Sequence, residues 1–556
     1  MSSTGSRRPL SLLVALPLLA PALLVGTTNA SAAPPAQVAA GGGPGALSHF
    51  DLARKDCVGT ARSGTSKVWF TVANGVLSDV YEPTIDTTNV ETMQFVVTDG
   101  RTFTDLQTRD ATYTVAADST GMACTVTTTA KSGAWQLTST FVTDPARDTV
   151  LVGVALRGLT VPTRSLHLYD RLDQTIGGHG GGGTDNAGAD TATTDASTGA
   201  LVASDPTTAT AATHRDYAVP TSLALRADRR FLSGSNGFVG TSSDGLSQLD
   251  ALRHLGPPSA TATSGNVVST AELDLRGGKA TVALGFGRTP AAAVTTAGAS
   301  LARDLKATVQ AYQRGWRQYD DGLVAPPSSL PGLSAARAAR LQQAYYLSVN
   351  VVKASEDKTF PGAVVAGLAS PWGQAVSAGT LQDDKAPYFG SYREVFSRDL
   401  YEAFTALLTA GDRATAQATT RFLLERQQLP DGRLPRNSLL NGQAAPDTGG
   451  DQLDETTYPI LMALQSGLAG DGALYRDHIR KAADFVVARG PAFGSERWEE
   501  QSGYSPSTIA AEIAGLVAAG RIAAVQGDTD RSRLYLATAD HFQRSIKGWT
   551  VTTTGQ

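Results

Sequence analysis

The period of the apolar residues changes once along the chain, and that change restricts the fold more than any other feature. Up to Gly287 the apolar residues fall in short runs rich in Val, Thr and aromatics, at 67–72, 93–97, 135–142, 150–156, 166–169 and 281–286, bounded by Gly, Asp and Ser. Many short runs of this kind predict an antiparallel β-sandwich. Residues 301–318 have helical character, and 323–331, with Pro326-Pro327-Ser328-Ser329, read as a linker. After Pro331 the spacing becomes helical. In 334–354 Leu341, Tyr345, Val349 and Val352 share a face, and in 397–410 Leu400, Phe404, Leu407 and Leu408 do, with Gly411 as the stop. Further helices are expected at 412–428, 454–467, 473–489, 505–519 and 529–546, with Pro506 at a first helical position. Almost no loop separates some neighbours, whereas 429–451 is long. This alternation suits helical hairpins set in a ring with the long loops gathered on one face.

Composition excludes several classes. The 556 residues are 41% hydrophobic, enough for sizeable cores, and the net charge of -4 offers no basic stripe for nucleic acid. The N-terminus has the form of an export signal: Arg7 and Arg8, an apolar run broken by Pro17 and Pro21, then Ala30-Ser31-Ala32. The expectation is a signal peptide over 1–33 and a secreted, extracellular protein with no membrane contact after processing, because no later stretch is judged long and apolar enough to span. In that compartment Cys57 and Cys124 could pair, and the sequence leaves this open. No His/Cys cluster has metal spacing, so no metal site is assigned.

The unusual polar residues sit in the long loops of the helical half. Phe396-Ser397-Arg398-Asp399 opens a helix, where a carboxylate is favoured and, beside an arginine, is expected to stay ionised. Such an Arg-Asp pair could grip sugar hydroxyls, or could be an ordinary cap with a surface ion pair. Arg497-Trp498-Glu499-Glu500-Gln501-Ser502-Gly503-Tyr504 sets two adjacent carboxylates between large aromatics. Desolvation against Trp498 and a charged neighbour would keep one of them protonated, as a general acid for an acetal oxygen requires. Asp431-Gly432-Arg433 runs on to Gln452-Leu453-Asp454-Glu455, and the first loop adds 356–362 and Pro371-Trp372-Gly373. Together the four loops suggest a carbohydrate crevice.

These motifs resemble glycoside hydrolase family 15, the glucoamylase and glucodextranase family. Arg398-Asp399-Leu400-Tyr401, Pro430-Asp431-Gly432 through Gln452-Leu453-Asp454-Glu455, and Trp498-Glu499-Glu500 with Ser502-Gly503-Tyr504 match in order. Upstream, Trp69-Phe70-Thr71-Val72 and 77–84 are similar to the β-sandwich N domain of bacterial glucodextranase-like enzymes. The resemblance implies a mixed multidomain chain. A glucodextranase-like sandwich spans 34–287, a helical linker 288–330, and part of an (α/α)6 catalytic domain 331–556. It also implies exo-attack on α-glucan oligo- or polysaccharides from non-reducing ends, inversion, and release of β-D-glucose. By position, Glu499 is the general acid, Glu500 binds the next sugar, Arg398 and Asp399 grip the terminal glucosyl unit, Trp498 is a wall, and Asp454 and Trp372 are further substrate contacts. No cofactor is required, and structural calcium is compatible with the class.

Two departures stand out. Phe396 occupies a place where members often carry Trp. Periodicity shows about seven of the barrel's twelve helices, and the family's catalytic base lies in the later ones, so the expectation is a truncated sequence that supplies the acid alone and hydrolyses little. Trehalose hydrolysis and non-catalytic glucan binding are the alternatives. A helical polysaccharide lyase is disfavoured, because no His falls in the candidate loops.

Overall fold

The computed structural model describes residues 38–46, 54–178, 190–206, 215–368, 392–446, 448–497 and 502–552. The β-rich half forms two antiparallel sheets. The first runs, in spatial order, Cys57–Thr60, Trp69–Ala73, Val76–Tyr81, Val90–Thr98, His167–Gln174, Val267–Glu272 and Ser233–Phe238, with Thr104–Leu106 paired to Val90–Thr98. The second runs Thr261–Gly265, Asp190–Thr194, Leu201–Asp205, Thr221–Ala227, Lys279–Gly287, Thr149–Gly158, Trp135–Thr143, Cys124–Ala130 and Ala111–Ala117. Each of the six runs picked out by sequence overlaps one of these strands, although the runs at 67–72 and 166–169 begin one or two residues before theirs. The weaker, Thr- and Ala-rich strands between them carried no such signal.

The two sheets are buried differently. Cys124–Ala130 alternates strictly between buried and half-buried positions, the mark of a sheet with one wet face. Trp69–Ala73 and Val76–Tyr81 are buried throughout. Phe70, Val72 and Leu77 point into the core between the sheets. On the opposite face, Trp69 and Tyr81 join Leu400, Phe404, Leu423 and Met462 of the helical half in a separate cluster. One sheet therefore serves as floor for both halves. Cys57 and Cys124, left open by the sequence, form a disulfide with their Cα atoms 6.5 Å apart, joining the first sheet to the second.

Helices α1 (Pro290–Leu301) and α2 (Leu305–Asp320) follow the sandwich. α1 lies so close on the second sheet that a Cβ at Gly285 would come within 2.4 Å of the Ala297 amide nitrogen. α2 donates from Trp316 Nε1 to the Thr60 carbonyl (2.8 Å) and from Tyr312 Oη to that of Met122 (2.9 Å). The helical half continues with α3 (Ala335–Ala354), α4 (Ser397–Thr409), α5 (Arg413–Arg421), α6 (Leu453–Gln465), α7 (Arg480–Arg489), α8 (Pro506–Val525) and α9 (Thr529–Thr550). Leu400, Phe404 and Leu407 form the buried stripe of α4 as its spacing predicts, and Gly411 ends it at φ 92°. In α3 the expected face is only partly used: Val349 is buried, but Leu341 is exposed. α8 runs past its expected end at 519, and it corrects the reading that no later stretch could span a membrane. It is 20 residues long with a mean hydropathy of 1.6 over its most apolar window, and 56% of that window is buried inside the protein. Here the apolarity makes α8 a core helix, packed with α6 and α9 around Ile509, Leu516, Ala519 and Ile522.

Between sandwich and helices, Lys358 is the main polar anchor. Its Nζ donates to Thr60 Oγ1 (2.7 Å) and to the carbonyls of Ala61 and Ser66 (both 2.6 Å), 5.0 Å from the Trp69 ring. Burial pulls its ammonium down to about 7. Asp357 accepts from the Ile85 amide at 2.9 Å. The Cys57–Cys124 bridge closes a 67-residue span. By loop-closure entropy, removing it with a Cys57→Ala/Cys124→Ala double variant is expected to cost about 4 kcal/mol, read as a lower denaturant midpoint with a somewhat steeper slope, because the unbridged unfolded chain is more expanded.

Candidate active site

Three polar segments meet where α4, α6 and α8 begin. Val395–Phe396, just before α4, pairs with Asn437–Ser438 of the long 429–451 loop. The Phe396 ring is flanked by Tyr392 (6.2 Å between centroids) and by the Arg436 guanidinium (6.0 Å), and Tyr392 is 45% exposed. Phe396 thus joins an accessible aromatic and a cation in one small platform. Behind it, the buried Asn437 donates to the Glu394 carboxylate.

Arg398 is the centre of the site. Its Nε donates to Asp454 Oδ2 at 2.9 Å and its Nη2 to Asp454 Oδ1 at 3.2 Å, the fork that a guanidinium makes with a carboxylate. Nη2 also donates to Gln452 and lies 3.3 Å from Glu455 Oε1. Glu455 accepts from the Ser397 hydroxyl and from the Arg398 amide (2.8 Å) at the start of α4. Burial pushes the Glu455 carboxyl up to about 8, against the opposing pull of Arg398. The sequence paired Arg398 with its neighbour Asp399. In the structure Arg398 turns instead to Asp454 and Glu455 one helix away, because side chains at adjacent helical positions diverge.

Asp399 is solvent-exposed. Even so, desolvation is the largest influence on its carboxyl and raises it from the ordinary value, with Arg398 opposing. The carboxyl thus sits at the surface among neighbours that screen it from part of the solvent. Below this surface Tyr401 stacks on Tyr458, centroids 4.8 Å apart.

Trp498, Glu499, Glu500 and Trp372 lie outside the described residues. The flanks of the first three are described. Gly494 pairs with Gln452, and Ser495 pairs with Ser502. The Ser495 amide donates to the Asp451 carbonyl at 2.9 Å. Gly494 therefore lies beside Gln452, the residue that shares Arg398 with Asp454, and the adjacent Ser495 pairs across to Ser502. Residues 356–362 are spent differently: Asp357 and Lys358 bind the sandwich, as above. Among the described residues, no group of three or more His, Cys, Asp or Glu side chains is arranged to hold a metal ion.

Sequence reasoning missed the part played by Glu455 and missed Glu512 altogether. Glu512 is a fully buried acid in α8. Its signal was present as a lone carboxylate in the apolar run Ile509-Ala510-Ala511-Glu512-Ile513-Ala514.

Comparison with known proteins agrees with this geometry. Residues 40–321 match the model of the glucodextranase N domain, and residues 436–555 match glycosyl hydrolases family 15. A glucoamylase from Clostridium sp. (strain G0005) is 31% identical over 532 residues, covering 93% of this chain and 68% of the relative. The crystal structure of a bacterial glucoamylase complexed with acarbose superposes with a TM-score of 0.79 at 30% identity, over 92% of this chain and 69% of that one. By these matches the chain belongs to glycosyl hydrolase family 15, as a glycoside hydrolase of the glucoamylase and glucodextranase type.

Proposed function

We propose that the crevice removes single glucosyl units from the non-reducing ends of α-glucans, with 1,4- or 1,6-linkages, by inversion to β-D-glucose. The observation that carries this reading is the Arg398–Asp454 fork at the foot of the segment bearing Glu499. It supplies a rigid hydrogen-bonding cation whose partner Gln452 pairs with Gly494, five residues before the proposed proton donor, and this supports the reading. The likeness to a glucoamylase and to a bacterial glucoamylase complexed with acarbose supports the same substrate class.

In this reading Glu499 gives its proton to the glycosidic oxygen as the bond to C1 breaks, and the remaining glucan leaves as an alcohol. Water adds to C1 from the opposite face, losing its proton to a base. Inversion requires that base to be a second carboxylate about 6.5–9.5 Å from the acid. We assign the base to no residue of the described crevice. Arg398 and Asp399 bind hydroxyls of the terminal sugar, Trp498 and Trp372 face its ring, and Glu500 orients the next unit. Asp454 acts through Arg398, which it holds in one orientation. The protein is exported by the signal over 1–33 and meets its polymer outside the cell. Calcium, if used, is structural.

Calorimetry with acarbose tests the crevice, and a coupled glucose assay on maltotriose and isomaltotriose tests the chemistry. Acarbose binding is expected, and no binding to the 556-residue chain would sink the glucan reading. Replacing Arg398 by Lys keeps the charge but loses the fork, and it is expected to weaken acarbose binding by about tenfold or more. Any glucose release should fall by about 10² to 10⁴ in Glu499→Gln, with the β-anomer appearing first in wild type. Release undiminished by that change would remove Glu499 from the mechanism. Binding with no release from either sugar would favour a glucan-binding protein.

A further inference from the structure

Glu512 lies on the side of α8 that faces α6. The two helices approach so closely at Gly515 that a Cβ added there would sit 2.7 Å from Thr457 Cβ. Three residues earlier on each helix, Glu512 faces the first turn of α6, and among the described residues the charge acting on it is that of Asp454. Glu512 is fully buried, and neither carboxylate oxygen meets a hydrogen-bond partner among the described residues. One turn before it on the same face, the buried hydroxyl of Thr508 likewise meets none among them. An apolar residue would fill this place at no desolvation cost, so a carboxyl kept there needs a reason beyond packing.

Charge balance supplies one. Two buried carboxyls, Asp454 and Glu455, meet the Arg398 guanidinium, and Glu512 lies behind Asp454, with Tyr458 and Arg497 the other titratable and charged groups acting there among the described residues. Only Asp454 makes the two-bonded fork with Arg398. A second full negative charge behind Asp454 would compete for the guanidinium and repel its partner at low dielectric. We propose that Glu512 is a positioning residue of this crevice: held as the neutral acid behind Asp454, it provides a polar but uncharged backing that leaves Asp454 as the fixed counter-charge of Arg398. Burial raises the Glu512 carboxyl to about 8, with Asp454 adding in the same direction.

The inference rests on the crevice reading for its consequence in binding, and the tests separate the two. A carboxyl raised from 4.5 to about 8 holds its proton more tightly in the folded protein. The stability tied to that proton is complete below 4.5 and is lost as pH rises to about 8. Melting temperature is therefore expected to fall with pH more steeply in wild type than in Glu512→Gln, while the contribution of Glu455 cancels between them. Parallel curves would overturn the buried proton. In Glu512→Met, which fills the space without polarity, a crystal structure is expected to show Arg398 displaced from Asp454, and an undisturbed fork would overturn the positioning role whether or not sugar binds. With acarbose as the probe at about pH 6, Glu512→Met is expected to bind about tenfold more weakly than wild type, and Glu512→Gln to recover most of the loss. Equal affinity of the Met variant and wild type would also overturn the role. Failure of wild type to bind acarbose would overturn the crevice reading and leave the melting and structural results to decide Glu512.

Discussion

A guanidinium held by one carboxylate across two helices is the interaction on which the crevice depends. Arg398 and Asp454 belong to different helical hairpins, and their fork fixes the start of α4 against the start of α6. It also settles which groups can carry charge. Asp454 is 1% exposed, so without Arg398 it would be a buried ion with no counter-charge, an arrangement costing several kcal/mol. The neighbouring acids adapt to that pair. Glu455 spends its acceptors on Ser397 and the Arg398 amide, and Glu512 finds no donor among the described residues. The site is thus one electrostatic unit rather than a set of independent polar side chains.

The sandwich makes such a unit rigid. A sheet with one wet face would leave the helical hairpins to be ordered by their own packing. Here the first sheet is covered on both sides, and Trp69 and Tyr81 enter the same apolar cluster as Leu400 and Phe404 of α4. The helix carrying Arg398 is seated directly on the floor of the sandwich. Polar ties reinforce the seam where apolar packing alone would slide. Trp69 Nε1 donates to the Ala354 carbonyl at 2.9 Å, and Arg393 donates to Thr88 at 3.0 Å.

How much of this was legible in the sequence follows from what periodicity records. It records burial, so the strands with Val and aromatic runs and the helices with a clear stripe were found. Asp190–Thr194 and Ala111–Ala117 were not, because their Thr and Ala residues alternate without strong apolar contrast. The same reasoning missed α8 past residue 519, since a helix buried on most sides loses its stripe. At the site, motif order brought the right loops together but chose the wrong partner for Arg398. Adjacency in sequence suggested Asp399, whereas helical geometry sends neighbouring side chains apart and leaves Asp454 in reach. Glu512 went unseen for a simpler reason: one acid in an apolar helix looks like a solvated position until the burial of its surroundings is known.

The pairing of Ser495 with Ser502, and of Gly494 with Gln452, has a mechanical side. The chain is clamped on both sides of Glu499, and the clamp stands on the residue that also grips the guanidinium. Gln452 thus belongs at once to the backbone pairing at Gly494 and to the side-chain contacts of Arg398.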